Sequence, residues 1–223
     1  VWSAATNVGS GHEAPAIVNG DYMFVATPHN QVIAYESTTG KERWRFVREV
    51  PLGLGALHRT NRGVALWNDK VYVGSIDCML IALDAKTGKK VWESQVCDWE
   101  TESAYITSAP LVVKGKVIIG PSGGEFGVRG FLKAFDAETG EVAWRFATIA
   151  QPGEPFGNSW NALPVEERNG GSGWIPGSYD PVNNLAFFAP GNTYDTGPLR
   201  DLVSQPEVTN DALYLDSTLA LNP

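Results

Sequence analysis

Four short stretches of the chain gather residue types that could do chemistry. Gly11-His12-Glu13-Ala14-Pro15 places a carboxylate in a loop ahead of an extended run. Thr60-Asn61-Arg62-Gly63 offers a guanidinium, whose planar fork can clamp a carboxylate with two parallel hydrogen bonds. Gly120-Pro121-Ser122-Gly123-Gly124-Glu125-Phe126-Gly127-Val128-Arg129-Gly130 is a glycine-rich turn with a single acid. Such a turn suits a hard cation, which takes oxygen ligands. No helical pattern follows it, which disfavours a phosphate-cradling loop. Ala189-Pro190-Gly191-Asn192-Thr193 adds an amide oxygen at the end of a strand. Taken singly, each has an ordinary reading too: a solvated glutamate, a surface arginine, a turn-forming asparagine. Other chemistries are absent. The histidines, His12, His29 and His58, lack metal-ligand spacing, and there is no Gly-x-Ser-x-Gly elbow and no dinucleotide fingerprint. Two cysteines exclude a disulfide scaffold and a cysteine-based zinc cluster.

The elements that must position these residues are legible in a repeat. Ala34-Tyr35-Glu36-Ser37-Thr38-Thr39-Gly40-Lys41-Glu42-Arg43-Trp44 recurs as Ala82-Leu83-Asp84-Ala85-Lys86-Thr87-Gly88-Lys89-Lys90-Val91-Trp92. It recurs again as Ala134-Phe135-Asp136-Ala137-Glu138-Thr139-Gly140-Glu141-Val142-Ala143-Trp144. A strand enters each unit at Val32–Tyr35, Leu80–Leu83 and Leu132–Phe135. The Thr-Gly pair makes a tight turn in which glycine supplies positive φ, and a second strand ends at the tryptophan. An earlier strand precedes each hairpin, at Tyr22–Ala26, Val71–Gly74 and Val117–Gly120. Several antiparallel strands per unit predict propeller blades, with Trp44, Trp92 and Trp144 filling the space between neighbours. The β-branched flanks of the Thr-Gly turns argue against a helical solenoid. The fold class read here is all-β, a β-propeller of four-stranded antiparallel blades with docking tryptophans. The approximate blades are 12–50, 56–97, 104–150 and an incomplete 170–223. The stretch 151–212, rich in Gly, Pro and Asn, reads as a blade with long loops, where function commonly sits.

Composition sets outer limits. The chain has 223 residues, 17 Lys and Arg against 25 Asp and Glu, and a net charge of −8. Nucleic acid is an unlikely partner for so acidic a surface, since its binders carry a basic footprint. A hydrophobic share of 43% excludes a disordered chain. No apolar run reaches the roughly 20 residues of a membrane span. The beginning shows no basic-then-apolar signal pattern, as a processed protein also would not. The run Tyr214–Pro223 enters a fourth hairpin without its Thr-Gly turn. The expectation is an N-terminal part of a larger propeller whose remaining portion lies beyond Pro223.

These motifs together resemble the quinoprotein alcohol dehydrogenases, the methanol and ethanol dehydrogenase group that uses pyrroloquinoline quinone (PQQ). The Ala-x-Asp-x-x-Thr-Gly-x-x-x-Trp units, Asn61-Arg62-Gly63 and the Ser122–Gly130 stretch carry the resemblance along essentially the whole chain. It implies an eight-bladed propeller with PQQ near the axis. Glu13 and Arg62 would be polar contacts to PQQ, and Thr107 and Ser122, with Gly123 and Gly124 beside them, would line the cofactor. Ser172 stands where the family usually has Thr, and Trp174 would be the indole on which the quinone stacks. Glu125 and Asn192 would be protein ligands of a calcium or lanthanide ion. The implied activity is oxidation of a primary alcohol, with electrons passed to a cytochrome c-type acceptor in the periplasm. The family's catalytic Asp would lie beyond Pro223, and Asp195 is a poor substitute. A polyol or sugar dehydrogenase and a non-catalytic propeller scaffold are the alternatives.

Two departures from the family bear on the site. Ala56-Leu57 stands where the family has a vicinal cystine, and Gly191-Asn192-Thr193-Tyr194-Asp195-Thr196-Gly197 replaces the usual Gly-Asn-Pro-x-Pro-Trp. Separately, Cys78 and Cys97 flank the Lys86-Thr87-Gly88 turn symmetrically. A regular hairpin would bring them together and leave a disulfide open to them; a bulge would separate them.

Overall fold

The structure, a computed structural model, describes residues 1–223. Three four-stranded antiparallel sheets and a three-stranded one follow each other along the chain. The first contains β1 (Ile17–Asn19), β2 (Tyr22–Thr27), β3 (Gln31–Glu36) and β4 (Glu42–Val47). The second contains β5 (Ala65–Trp67), β6 (Lys70–Ser75), β7 (Met79–Asp84) and β8 (Lys90–Gln95). The third contains β9 (Leu111–Val113), β10 (Lys116–Ile119), β11 (Phe131–Asp136) and β12 (Val142–Ala147). The fourth contains β13 (Ser178–Asp180), β14 (Leu185–Phe188) and β15 (Leu219–Leu221). The fold is all-β, a segment of a propeller. Within the fourth unit the chain before β15 is turn, and only Leu219–Leu221 pairs, against Ala186–Phe188.

The repeat has a physical basis in register. Ala34 pairs across the strands with Trp44, Ala82 with Trp92 and Ala134 with Trp144. In each hairpin the register shifts immediately after the alanine. A small residue opposite leaves the indole room to lean out of its own sheet. Trp44 then donates its indole N–H to the Ala85 carbonyl at 3.0 Å, and Trp92 donates to Ala137 at 3.2 Å. Both accept positions lie one residue past the turn aspartate. The Thr-Gly turn is where the indole rests: a Cβ on Gly88 would lie 2.5 Å from the Trp44 ring, and one on Gly140 2.7 Å from Trp92. Trp44 is buried, whereas Trp92 and Trp144 are half-buried. The N-terminal segment joins the same pattern, since Trp2 donates to the Ser37 carbonyl at 3.0 Å.

Apolar clusters fill the spaces between sheets. Phe24, Val32 and Trp44 of the first pack on Val71, Val73 and Ile81 of the second. Tyr72 and Leu80 meet Val117, Ile119 and Phe131. Leu132 and Ile118 meet Ala186 and Phe188. The long connection after β12 has a small core of its own around Trp160, Ile149 and Ala212. Arg168 ties it down, buried and donating to the Leu163 and Ala150 carbonyls. Cys78 and Cys97 are joined in a disulfide, with Cα atoms 5.0 Å apart. The bulge at Ala82 does not separate them, because Cys78 takes a positive φ of 67° just outside β7 and turns back toward Cys97.

Candidate functional site

The loops leading into β5, β9 and β13 and those leaving β10 and β14 converge on one cleft of about 300 Å³. The second sheet's entry loop contributes Arg62, and the third sheet contributes Thr107, Ser122, Gly123, Gly124 and Glu125. The fourth contributes Ser172, Trp174 and Asn192. The backbone explains the convergence. The Gly171 N–H donates to the Gly191 carbonyl and the Gly191 N–H to the Ser172 carbonyl, so the Trp174 and Asn192 segments run together. Gly130 N–H donates to the Gly170 carbonyl, which joins the third sheet's loop to the fourth's.

One cleft wall is a chain of hydrogen bonds. Arg62 donates from Nη1 to Thr107 Oγ1 at 2.5 Å, and Thr107 shares a 2.8 Å hydrogen bond with Ser122 Oγ. Thr107 and Ser122 are both buried, so these hydroxyls are held in place. The Arg62 guanidinium also pairs with Glu13 at 3.0 Å and lies over the Trp174 ring. Glu13 is not among the residues lining the cleft and meets it through Arg62. Asp195 is outside the wall too.

The opposite corner carries oxygen donors. Asn192 lines the cleft and directs its amide N–H to the Thr193 carbonyl at 2.9 Å, which leaves Oδ1 without a hydrogen-bond partner. Glu125 sits on a single 3₁₀ turn, Gly124–Phe126, and its Oε1 accepts from the Tyr105 hydroxyl. No three His, Cys, Asp or Glu side chains cluster anywhere in the chain, so the protein's own offer to a cation here is one carboxylate and one amide. That pair is a hard-oxygen donor set, fitting calcium or a lanthanide better than zinc or copper. The partly exposed Trp174 ring, the guanidinium lying over it and a row of fixed hydroxyls fit a flat, anionic aromatic group that can displace the cation from the ring. The residues present thus suit both PQQ and its ion.

Two cleft residues, His58 and Tyr105, lie outside the sequence motifs, while Leu57 and Tyr194 lie in the two segments that depart from the family pattern. Tyr105 is buried, and burial first, then its bond to Glu125, pushes its phenol well above the usual range. A weak sequence signal existed, since Tyr105 precedes Thr107 by two residues on the same extended segment.

Comparison with known proteins agrees with this geometry. The profile of the PQQ glucose/ethanol/alcohol dehydrogenase β-propeller domain matches residues 3–223. Quinohemoprotein alcohol dehydrogenase ADH IIB of Pseudomonas putida is 42% identical across 96% of this chain and 32% of its own length. The solved quinohemoprotein alcohol dehydrogenase of Comamonas testosteroni superposes with a TM-score of 0.77 at 37% identity, covering 96% of this chain and 33% of that one. A europium-containing methanol dehydrogenase superposes at 0.74 with 33% identity, over 85% of this chain and 37% of the other. The chain spans about a third of the length of the curated relatives it matches.

Proposed function

Because this chain belongs to the family of PQQ-binding alcohol dehydrogenase propellers, we propose that its cleft holds PQQ and a calcium or lanthanide ion and serves the oxidation of a primary alcohol. One observation carries this reading: Glu125 and Asn192 line the same cleft as Arg62 and the partly exposed Trp174, although they come from three different sheets. When bound, PQQ supplies a two-electron acceptor and the ion a Lewis acid.

The chain's own residues bind and orient. Trp174 provides a stacking face, and Arg62 pairs with a carboxylate of the cofactor. Glu13 holds the guanidinium from behind, which limits its rotamers before the cofactor arrives. Ser172 and whichever of Thr107 and Ser122 does not spend its proton on their shared hydrogen bond would donate to the cofactor, while Gly123 and Gly124 keep the wall low enough for a flat ring. Glu125 and Asn192 offer the ion Oε2 and Oδ1. No residue of this chain is assigned as the base that takes the alcohol proton. Electrons pass on to a cytochrome c-type acceptor, and the setting is the periplasm, where the Cys78–Cys97 bond can persist.

Reconstitution of the full-length apoprotein with PQQ at rising calcium tests the reading. Glu125→Gln keeps the shape and removes the charge, so it should need at least about tenfold more calcium for the same activity. Equal calcium demand in mutant and parent, or no visible-range absorbance band on adding PQQ, would sink it.

A further inference from the structure

We propose that Tyr105 is a positioning residue for the ion site, holding the Glu125 carboxylate through one oxygen so that the other faces the ion. This rests on the reading of Glu125 as an ion ligand. Glu125 needs such help. Its 3₁₀ turn is bounded by Gly123 at φ 116° and Gly127 at φ 79°, and the hydrogen bonds of that turn fix the backbone but not the glutamate side chain. The carboxylate has no ion pair and no other side-chain hydrogen bond. A free glutamate side chain would lose rotamer entropy on every binding event.

Tyr105, by contrast, is fixed from every side. Its N–H donates to the Ser122 carbonyl at 3.3 Å and its carbonyl accepts from Ser122 N–H at 2.7 Å. Its ring packs among Leu54 and Ile76, with the Phe126 ring centre 6.2 Å away. Immediately before it, the Ala104 carbonyl oxygen lies 3.4 Å from Cys78 Sγ in the buried disulfide. The disulfide, Ala104, Tyr105 and Glu125 therefore form one continuous contact path to the cleft. The donor's chemistry also fits. A phenol O–H orients a carboxylate without neutralising it, whereas a lysine in the same place would cancel the charge that the ion needs.

Terbium luminescence on the full-length apoprotein tests this, with terbium(III) as the probe and the cleft aromatics as sensitisers. Tyr105→Phe removes one oxygen and keeps the ring. It should weaken terbium binding by about tenfold or more, the usual cost of losing a partner that orients a metal ligand. Lifetimes in water and deuterated water should show about one additional bound water, taking the place the unheld carboxylate leaves. Phe126→Leu, which removes the ring contact and spares the hydroxyl, should change neither readout. Should Tyr105→Phe fail to fold, Tyr105→Met also lacks the hydroxyl and repacks more easily. Parental affinity and hydration in the Tyr105 variant, with Glu125→Gln weakened, would overturn the positioning role alone. Parental binding in Glu125→Gln would overturn the ligand reading beneath it. Equal weakening by Phe126→Leu would make packing, not the hydroxyl, the cause, and would also overturn the proposal.

Discussion

The Arg62 guanidinium carbon lies 4.8 Å from the centre of the Trp174 ring, joining the second and fourth sheets across the cleft. The cation covers a face on which a flat anion would stack. Trp174 is 38% exposed, so the contact is open to competition rather than locked in the core. A tricarboxylate arriving at Trp174 exchanges a cation–π contact for a charge-assisted hydrogen bond, which is the stronger of the two.

Arg62→Lys keeps the charge and loses the planar fork. PQQ affinity should fall by about tenfold or more, read from quenching of tryptophan fluorescence on titrating the full-length apoprotein. Trp174→Ala should weaken PQQ similarly while the unfolding free energy moves by no more than about 0.5 kcal/mol, as for other partly exposed positions. A large stability loss on Trp174→Ala would assign the indole to the core instead of the site.

Trp92→Ala should behave in the opposite way. It removes the indole seated on Gly140 and its hydrogen bond to Ala137, and leaves a gap beside Tyr72. A cost of about 3 kcal/mol in denaturant unfolding is expected, with PQQ affinity of the folded protein reduced far less than in Trp174→Ala.

The Cys78–Cys97 bond closes a hairpin with a sequence separation of 19 residues. Replacing both cysteines by alanine should cost about 3 kcal/mol by the loop-entropy relation. Adding reductant to the parent under denaturing titration should lower its midpoint toward that of the variant. Coincident midpoints for parent and double variant without reductant would show that the bridge adds nothing to stability.

Acid should loosen the docking turns. The Thr87 hydroxyl, and then the Thr87 and Lys86 amides, hold Asp84 below the ordinary aspartate value; Thr139 and Glu138 amides do the same for Asp136. A folded-state value depressed below the unfolded one stabilises the fold above the unfolded value. That stability is lost as pH falls through the folded one. The melting temperature should therefore decline as pH drops from about 5 toward 3, around the unfolded aspartate value of roughly 3.9. Asp84→Asn with Asp136→Asn keeps an acceptor at each turn and should flatten that decline.

The blades were readable because three turns share one spacing, and the spacing records a cross-strand contact, Ala against Trp, that each blade needs. The tryptophan at position 2 escaped because its turn, Ser37–Gly40, is far along the chain and nothing repeats before it. Cys78 and Cys97 stayed open because hairpin symmetry gives a distance but not the positive φ at Cys78 that turns its side chain inward. Glu13, Arg62, Glu125 and Asn192 were legible as chemistry-bearing residues in their own loops, but Thr107, Ser172 and Trp174, and the roles of all of them, were legible only through the family motifs. Tyr105 had only its closeness to Thr107 to mark it, for a different reason. Its partner Glu125 is reached through the Tyr105–Ser122 bridge, an isolated pairing outside any strand, and no sequence period encodes it.

The docking tryptophans have a direction. Trp2 reaches forward to the first sheet's turn, Trp44 to the second's and Trp92 to the third's, each indole pinning the unit that follows it. Such an array behaves as a row of nearest neighbours coupled one way along the chain, like shingles lapped in sequence. Local opening at one turn frees the indole behind it and uncovers the sheet ahead, so damage spreads between adjacent units before it crosses the whole molecule. A cleft assembled from three consecutive units is then a gauge of their mutual alignment. Ligand bound there should report, through its dissociation rate, on slippage at interfaces it never touches.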